Sequence, residues 1–262
     1  MKVKTYILGL LLGFAGFAQV EASSAENKSW SLNSIQKYVG ISGGVGRMTG
    51  RRDESVFNAI GVPRLSIFAS NVRFTSSKAA YSLFAGFTSD IPGVPIFLGP
   101  EIYLGRSDSE SQYKQSVLDP NTGANRAMQT SIRQSYFYGL SVQAGVHLPY
   151  QTRAYALLGC DASQFQYQTF YVPRSAALLA APANDLSPPT FSASKTLKGF
   201  MWGFGVEKNW NSFRVGADIR FINYSRLKVS YITPSGDGTN DIITNAFKPR
   251  NIRAMVRLSY LF

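Results

Sequence analysis

Three carboxylates and four arginines are the residues of this chain whose type and spacing could do chemistry: Glu101, Glu207 and Asp218, with Arg214, Arg220, Arg253 and Arg257. Neighbouring carboxylates can divide acid and base roles between them. Carboxylates interleaved with arginines can instead form ion pairs. The spacing favours pairing, because Arg214, Asp218 and Arg220 share one face of an extended segment. Nucleophilic and metal chemistry have little to draw on, since the chain holds one histidine, His147, and one cysteine, Cys160. One cysteine excludes an intramolecular disulfide and a Cys-rich zinc site, and one histidine excludes most His-based metal centres. A lipid-modifying enzyme built on histidine would need a serine or acid partner, and no serine stands two residues beyond His147. Gly203 and Gly205 lie between aromatics with no helix to follow, so they are not a phosphate loop. No catalytic residue, cofactor or metal is assigned.

These residues are set in a chain of 262 residues with a formal charge of +12, yet only 16% of its residues are charged. Soluble domains carry about 25%. The net charge alone would suggest a nucleic-acid partner. The first residues argue against it. Lys2 and Lys4 precede an uncharged apolar run from Tyr6 to Ala18, and Val20-Glu21-Ala22 offers a small-residue cleavage site. Residues 1–22 read as a secretory signal peptide, and export leaves no nucleic acid to bind. The run is too short for a spanning helix, which needs about 20 residues.

Period-2 alternation then recurs in eight segments, near 38–48, 78–88, 96–106, 132–148, 153–170, 198–208, 213–224 and 250–262. Phe200, Trp202, Phe204 and Val206 alternate with Gly199, Met201, Gly203, Gly205 and Glu207. Phe213, Val215, Ala217, Ile219 and Phe221 alternate with Arg214, Gly216, Asp218 and Arg220. Such alternation marks strands with two different faces. In the fourth segment Arg133, Ser135 and Phe137 share a parity with His147. The facing of the fifth segment is open, as is strand structure over 64–74. Short connections (around 91–93, 149–152 and 209–212) alternate with long ones (49–77, 107–131, 171–197 and 229–248).

The larger apolar residues hold one parity, and Gly, Ser and charged residues hold the other. Charges such as Asp218 would make a poor dry core. Turned inward in a narrow closed barrel, they can pair while the apolar parity meets lipid. The expected fold is therefore all-β: an eight-stranded antiparallel up-and-down transmembrane barrel over 23–262. It has short periplasmic turns, four long extracellular loops and a short periplasmic segment at 23–37. Glu101, Glu207 and Asp218 would form a lumen salt-bridge network with Arg214, Arg220, Arg253 and Arg257.

Val256, Leu258, Tyr260 and Phe262 alternate up to a C-terminal aromatic. Here the chain resembles bacterial outer-membrane barrels, whose last strand carries such an assembly signal. That resemblance implies recognition by the barrel-assembly machinery. Gly99-Pro100-Glu101, Gly203-Phe204-Gly205-Val206-Glu207 and the Arg214–Arg220 strand resemble the OmpA-like and opacity-type surface proteins. The bacterial outer membrane is the implied location.

Basic residues cluster at the long-loop ends of the segments: Arg47, Lys78, Arg106, Arg133, Arg174, Lys198, Arg226, Lys228, Lys248 and Arg250. They could form a collar for lipopolysaccharide phosphates, or a solvated rim. The leading functional expectation is a non-enzymatic surface protein whose loops serve envelope stabilisation, adhesion or binding of a host or environmental ligand. The alternatives are a narrow porin-like channel for small solutes, a soluble exported ligand-binding barrel and a lipid-modifying envelope enzyme.

Overall fold

The computed structural model describes residues 35–58, 63–64, 72–118, 125–174, 191–234 and 240–262. The expected signal peptide lies outside the described residues, as do residues 23–34 of the expected periplasmic segment. Residues 35–37 of that segment already belong to the first strand.

Eleven strands form the described chain: β1 (Ile35–Asn58), β2 (Pro63–Arg64), β3 (Val72–Asp90), β4 (Ile96–Ser107), β5 (Glu110–Leu118), β6 (Asn125–Leu148), β7 (Thr152–Arg174), β8 (Phe191–Trp210), β9 (Phe213–Tyr224), β10 (Leu227–Pro234) and β11 (Asn240–Leu261). Eight of them make a closed antiparallel ring, β1–β3–β4–β6–β7–β8–β9–β11. The ring closes where β11 pairs with β1, with Val45 opposite Ala254. Closure satisfies every edge, which hydrocarbon surroundings require. β5 and β10 prolong the staves of β4 and β9 after short interruptions at Asp108-Ser109 and Ser225-Arg226.

Three tight turns join strands at one end. Around Tyr150 and Gln151 both residues have positive φ (62° and 59°), and Thr152 N–H donates to Pro149 O at 3.4 Å. That is the twist-matched hairpin geometry for a two-residue turn. At the other end the strands reach well past the alternating segments read from sequence. β5 and the start of β6 occupy most of 107–131, and strand covers residue 64 and residues 72–74 of the stretch left open at 64–74. The polar and hydroxyl residues there pair in register, as with Thr130 opposite Thr169; they lack the apolar alternation that marks a lipid-facing strand.

Above the ring the wall divides. Among the described residues β5 pairs only with β6 and β10 only with β11. β3 and β5 therefore face each other without a hydrogen-bond ladder, as do β8 and β10.

Facing follows parity, with one break. Val39, Ile41 and Val45 on β1 and Phe200, Trp202, Phe204 and Val206 on β8 are exposed outward, while Tyr38, Ser42 and Met201 are buried inward. On β6 the register shifts between Gln134 and Phe137. This bulge adds one residue and flips the parity. Arg133 is consequently outside the wall and not on the face of Phe137, where uninterrupted alternation puts it.

Candidate functional site

The lumen is filled. Glycine makes that filling feasible where two staves crowd: a Cβ on Gly205 would lie 2.6 Å from Cζ of Tyr155. Into the space left by such glycines project five arginines (Arg153, Arg214, Arg220, Arg253, Arg257) and four carboxylates (Glu101, Asp161, Glu207, Asp218), all buried.

The ions form two layers. In the layer nearer the short turns, Arg220 Nη2 bridges Glu101 at 3.0 Å and Asp218 at 2.8 Å. Arg257 binds Asp218 at 2.8 Å, Glu207 at 3.2 Å and Glu101. Arg153 binds Glu207 at 2.7 Å, and Arg214 lies 3.7 Å from the same carboxylate. Gln143 and Tyr38 also donate to Glu101, at 2.7 and 3.2 Å. The second layer centres on Asp161. It accepts from Arg253 Nη1 at 2.6 Å, Tyr224 at 2.7 Å, Tyr103 at 3.0 Å and Ser163 at 2.9 Å.

Each lumen arginine also lies over a ring. Arg253 is 3.5 Å from the centroid of Phe137, Arg257 4.1 Å from Phe84, Arg153 4.5 Å from Phe97, Arg220 4.8 Å from Tyr103 and Arg214 5.4 Å from Tyr38. Cation–π contact suits arginine in a desolvated space. Pairing and ring contact together make burial of so many ions tolerable.

The sequence brings Glu101, Glu207, Asp218, Arg214, Arg220 and Arg257 into one layer; Arg253 belongs to the other. Asp161 and Arg153 were missed because the fifth segment alternates poorly. Their signal is the parity Arg153, Tyr155, Asp161, Ser163, which matches the buried face of β7.

Outside, a continuous apolar belt surrounds this polar interior. Ile41, Leu83, Leu140, Leu158, Phe204 and Val256 are each more than half exposed. Water-soluble monomers rarely expose so large a contiguous apolar surface. From Phe213 to Phe221 the belt rises about 26 Å along the strand, or roughly 20 Å along the membrane normal at a 40° tilt. The belt is the surface of a membrane-spanning barrel. Val256, Leu258 and Tyr260 belong to it, and Phe262 is exposed at its lower edge.

At the short-turn end His147 Nε2 lies 2.8 Å from Asp90 and its ring packs 5.3 Å from Phe97. The histidine therefore has an acid partner that chain spacing does not reveal. Among the described residues no hydroxyl or thiol hydrogen-bonds to it. The groups are exposed at the rim.

At the long-loop end the basic residues separate into kinds. Arg106 and Arg133 both donate to Asp108, at 3.1 and 2.8 Å, and hold its carboxyl below the ordinary aspartate range, Arg133 contributing most. Arg226 pairs with Asp53. Arg47, Lys78, Lys198, Lys228, Lys248 and Arg250 are exposed. Arg174 ends β7, and its side chain lies outside the described residues. Inside this end Arg52 is buried against Asn245 (2.7 Å) and Glu54. Beside it a small cleft opens where β3 and β5 face each other. Arg52, Phe74, Tyr113, Ile132 and Phe247 line it.

No protein-family model matches the sequence, and no curated protein matches it. Among solved structures the chain is similar to the outer membrane protein OprG from Pseudomonas aeruginosa, at 15% identity over 86% of this chain and 95% of that one, with a TM-score of 0.45. It is similar to the outer membrane protein AlkL, at 13% identity over 92% and 97% of the two chains, with a TM-score of 0.37. It is also similar to Ail, the attachment invasion locus protein of Yersinia pestis, at 10% identity over 86% and 99%, with a TM-score of 0.33. The strand pairing and facing described above belong to this chain's own geometry and do not depend on these likenesses.

Proposed function

We propose that the chain is a non-enzymatic protein of the bacterial outer membrane, a plugged barrel that displays its extracellular end for adhesion, ligand binding or envelope stabilisation. The observation that carries this reading is the lumen: two layers of paired ions, with an aromatic ring against each arginine, occupy the bore inside an apolar outer belt. A barrel of eight strands has an interior just wide enough for side chains, so once they interlock little bore remains for solute. What such a barrel offers its surroundings is its outer wall and the strands that extend beyond the belt.

Delivery would use the signal peptide at 1–22, and insertion would use the barrel-assembly machinery acting on Val256, Leu258, Tyr260 and Phe262. The solvated position of the His147–Asp90 pair supports a structural role at the rim. Partners at the long-loop end would be outer-leaflet lipid and a host or environmental ligand.

Single-channel recording of the refolded full chain in planar bilayers tests the reading. No resolved steps are expected. Steps that persist in the wild type and change amplitude in Arg253→Gln would favour the porin-like alternative.

A further inference from the structure

The exposed cations are not spread evenly around the rim. β11, β1 and β3 are neighbours, and their registers align Lys248 with Arg51 and Arg51 with Arg73. All three side chains are exposed on the outer face of the wall. One step nearer the belt, Arg250 lies opposite Thr49, and Thr49 opposite Thr75. A further step down, Arg47 sits between Ile252 and Ser77. Five cations and three hydroxyls therefore share a face about 14 Å along the strands and about 10 Å across them. Arg51 and Arg73 fall within the first long connection on the sequence reading, but the parity Val45, Arg47, Thr49, Arg51 continues unbroken into it.

Like charges directly opposite on adjacent strands destabilise a sheet. Three in a row therefore ask for a counter-charge. Among the described residues the one carboxylate on this outer face of β1, β3 and β11 is Asp53, and Arg226 already holds it. On another part of the wall Arg106 and Arg133 are occupied by Asp108. The clustered uncompensated charge thus lies on one side.

We infer that this face of β11, β1 and β3 binds the phosphates of the outer leaflet's phosphorylated glycolipid, with Arg51, Arg73 and Lys248 as its upper row and Arg47 and Arg250 beneath. The inference rests on the membrane-spanning reading above. Height selects the partner. Val45 and Ala254 are exposed belt residues paired with each other, and Arg47 is only two residues above Val45, about 7 Å along the strand. A lipid whose chains lie along the belt brings its phosphates to this level. Guanidinium groups bind phosphate bidentately, and the interleaved Thr49, Thr75 and Ser77 hydroxyls can donate to the remaining oxygens. The ring of ten basic residues read from sequence thereby contracts to one wall.

The test uses the refolded full chain in zwitterionic micelles and follows the temperature at which the folded gel band converts to the unfolded one. The probes are bisphosphorylated lipid A, dephosphorylated lipid A and heparin. Bisphosphorylated lipid A should raise the conversion temperature of the wild type, and added salt should shrink the rise. The triple variant R51Q/R73Q/K248Q should lose at least half of it, and R106Q/R133Q/K198Q should keep it. If the triple variant does not fold, the single variant Arg51→Gln should show a smaller loss in the same direction. An undiminished rise in the patch variants, an equal loss in the other triple variant, or an equal rise with dephosphorylated lipid A would overturn the inference. A larger rise with heparin than with lipid A would reassign the patch to a soluble polyanion and also overturn it. A wild type without any folded band would instead refute the barrel reading beneath it.

Discussion

Arg220 on β9 donates through Nη2 to the carboxylate of Glu101 on β4, 3.0 Å away, on the diametrically opposite stave of the ring. The two residues are 119 positions apart in the chain. Their contact spans the full bore, so the lumen is braced by ions where a pore would need open space. Gln143, Tyr38 and Arg257 converge on the same carboxylate.

Among the described residues Asp161 is the carboxylate that pairs with Arg253, and it accepts from two tyrosines and a serine as well. Asp161→Ala leaves a buried guanidinium without its anion. The expected loss is about 3–5 kcal/mol of unfolding free energy, read from urea titration of the barrel in vesicles. Asp161→Ala combined with Arg253→Met should recover much of it. A double variant as weak as the single would show that packing, and not the orphaned charge, sets the cost.

Around Glu207 cations are in excess, because Arg153, Arg214 and Arg257 all approach it. Arg214 Nη1 has no hydrogen-bond partner. Arg214→Gln should therefore cost less than about 1 kcal/mol, while Glu207→Gln should cost several. Equal losses in the two variants, measured in the same titration, would contradict this asymmetry.

Gly205 faces the ring of Tyr155. Gly205→Val should destabilise the barrel by roughly 1–3 kcal/mol through overpacking. Tyr155→Ala in the same chain should relieve the clash and narrow the difference between Gly and Val at 205. A difference unchanged by Tyr155→Ala would point to the backbone as the source.

Asp108 carries the pH dependence at the long-loop end. Its carboxyl is lowered by hydrogen bonds from Arg133 and Arg106. A folded-state value below the unfolded one means that this contribution is fully present above the ordinary aspartate range and lost as pH falls through the lowered value. NMR titration should find Asp108 below a reference aspartate value of 3.8, and Arg133→Gln should move it upward. An Asp108 midpoint unaffected by Arg133→Gln would remove the assigned cause.

The strands and their facing were legible because hydrocarbon outside and ions inside impose opposite demands on alternate residues. Phe213 to Phe221 shows both demands in a single segment. Legibility ended where one demand relaxes. Beyond the belt both faces of β5 and of the first part of β6 carry polar residues, so alternation fades although pairing continues. On β7 small outward residues such as Ala154, Ala156 and Ala162 hid the parity that buries Asp161. On β6 a bulge, which no single-residue signal marks, moved Arg133 outside to Asp108. Ion partners across the bore, Arg220 with Glu101 above all, depend on ring closure, which no local spacing encodes.

The apolar belt is expected to hold a folded barrel in the outer membrane. The most direct test is the gel mobility of the full chain in isolated outer membranes, with and without boiling. A folded barrel in that fraction should migrate differently before boiling and shift to its unfolded position after it. A chain found only in the soluble periplasmic or extracellular fraction, with one mobility under both conditions, would show that the belt does not face a membrane.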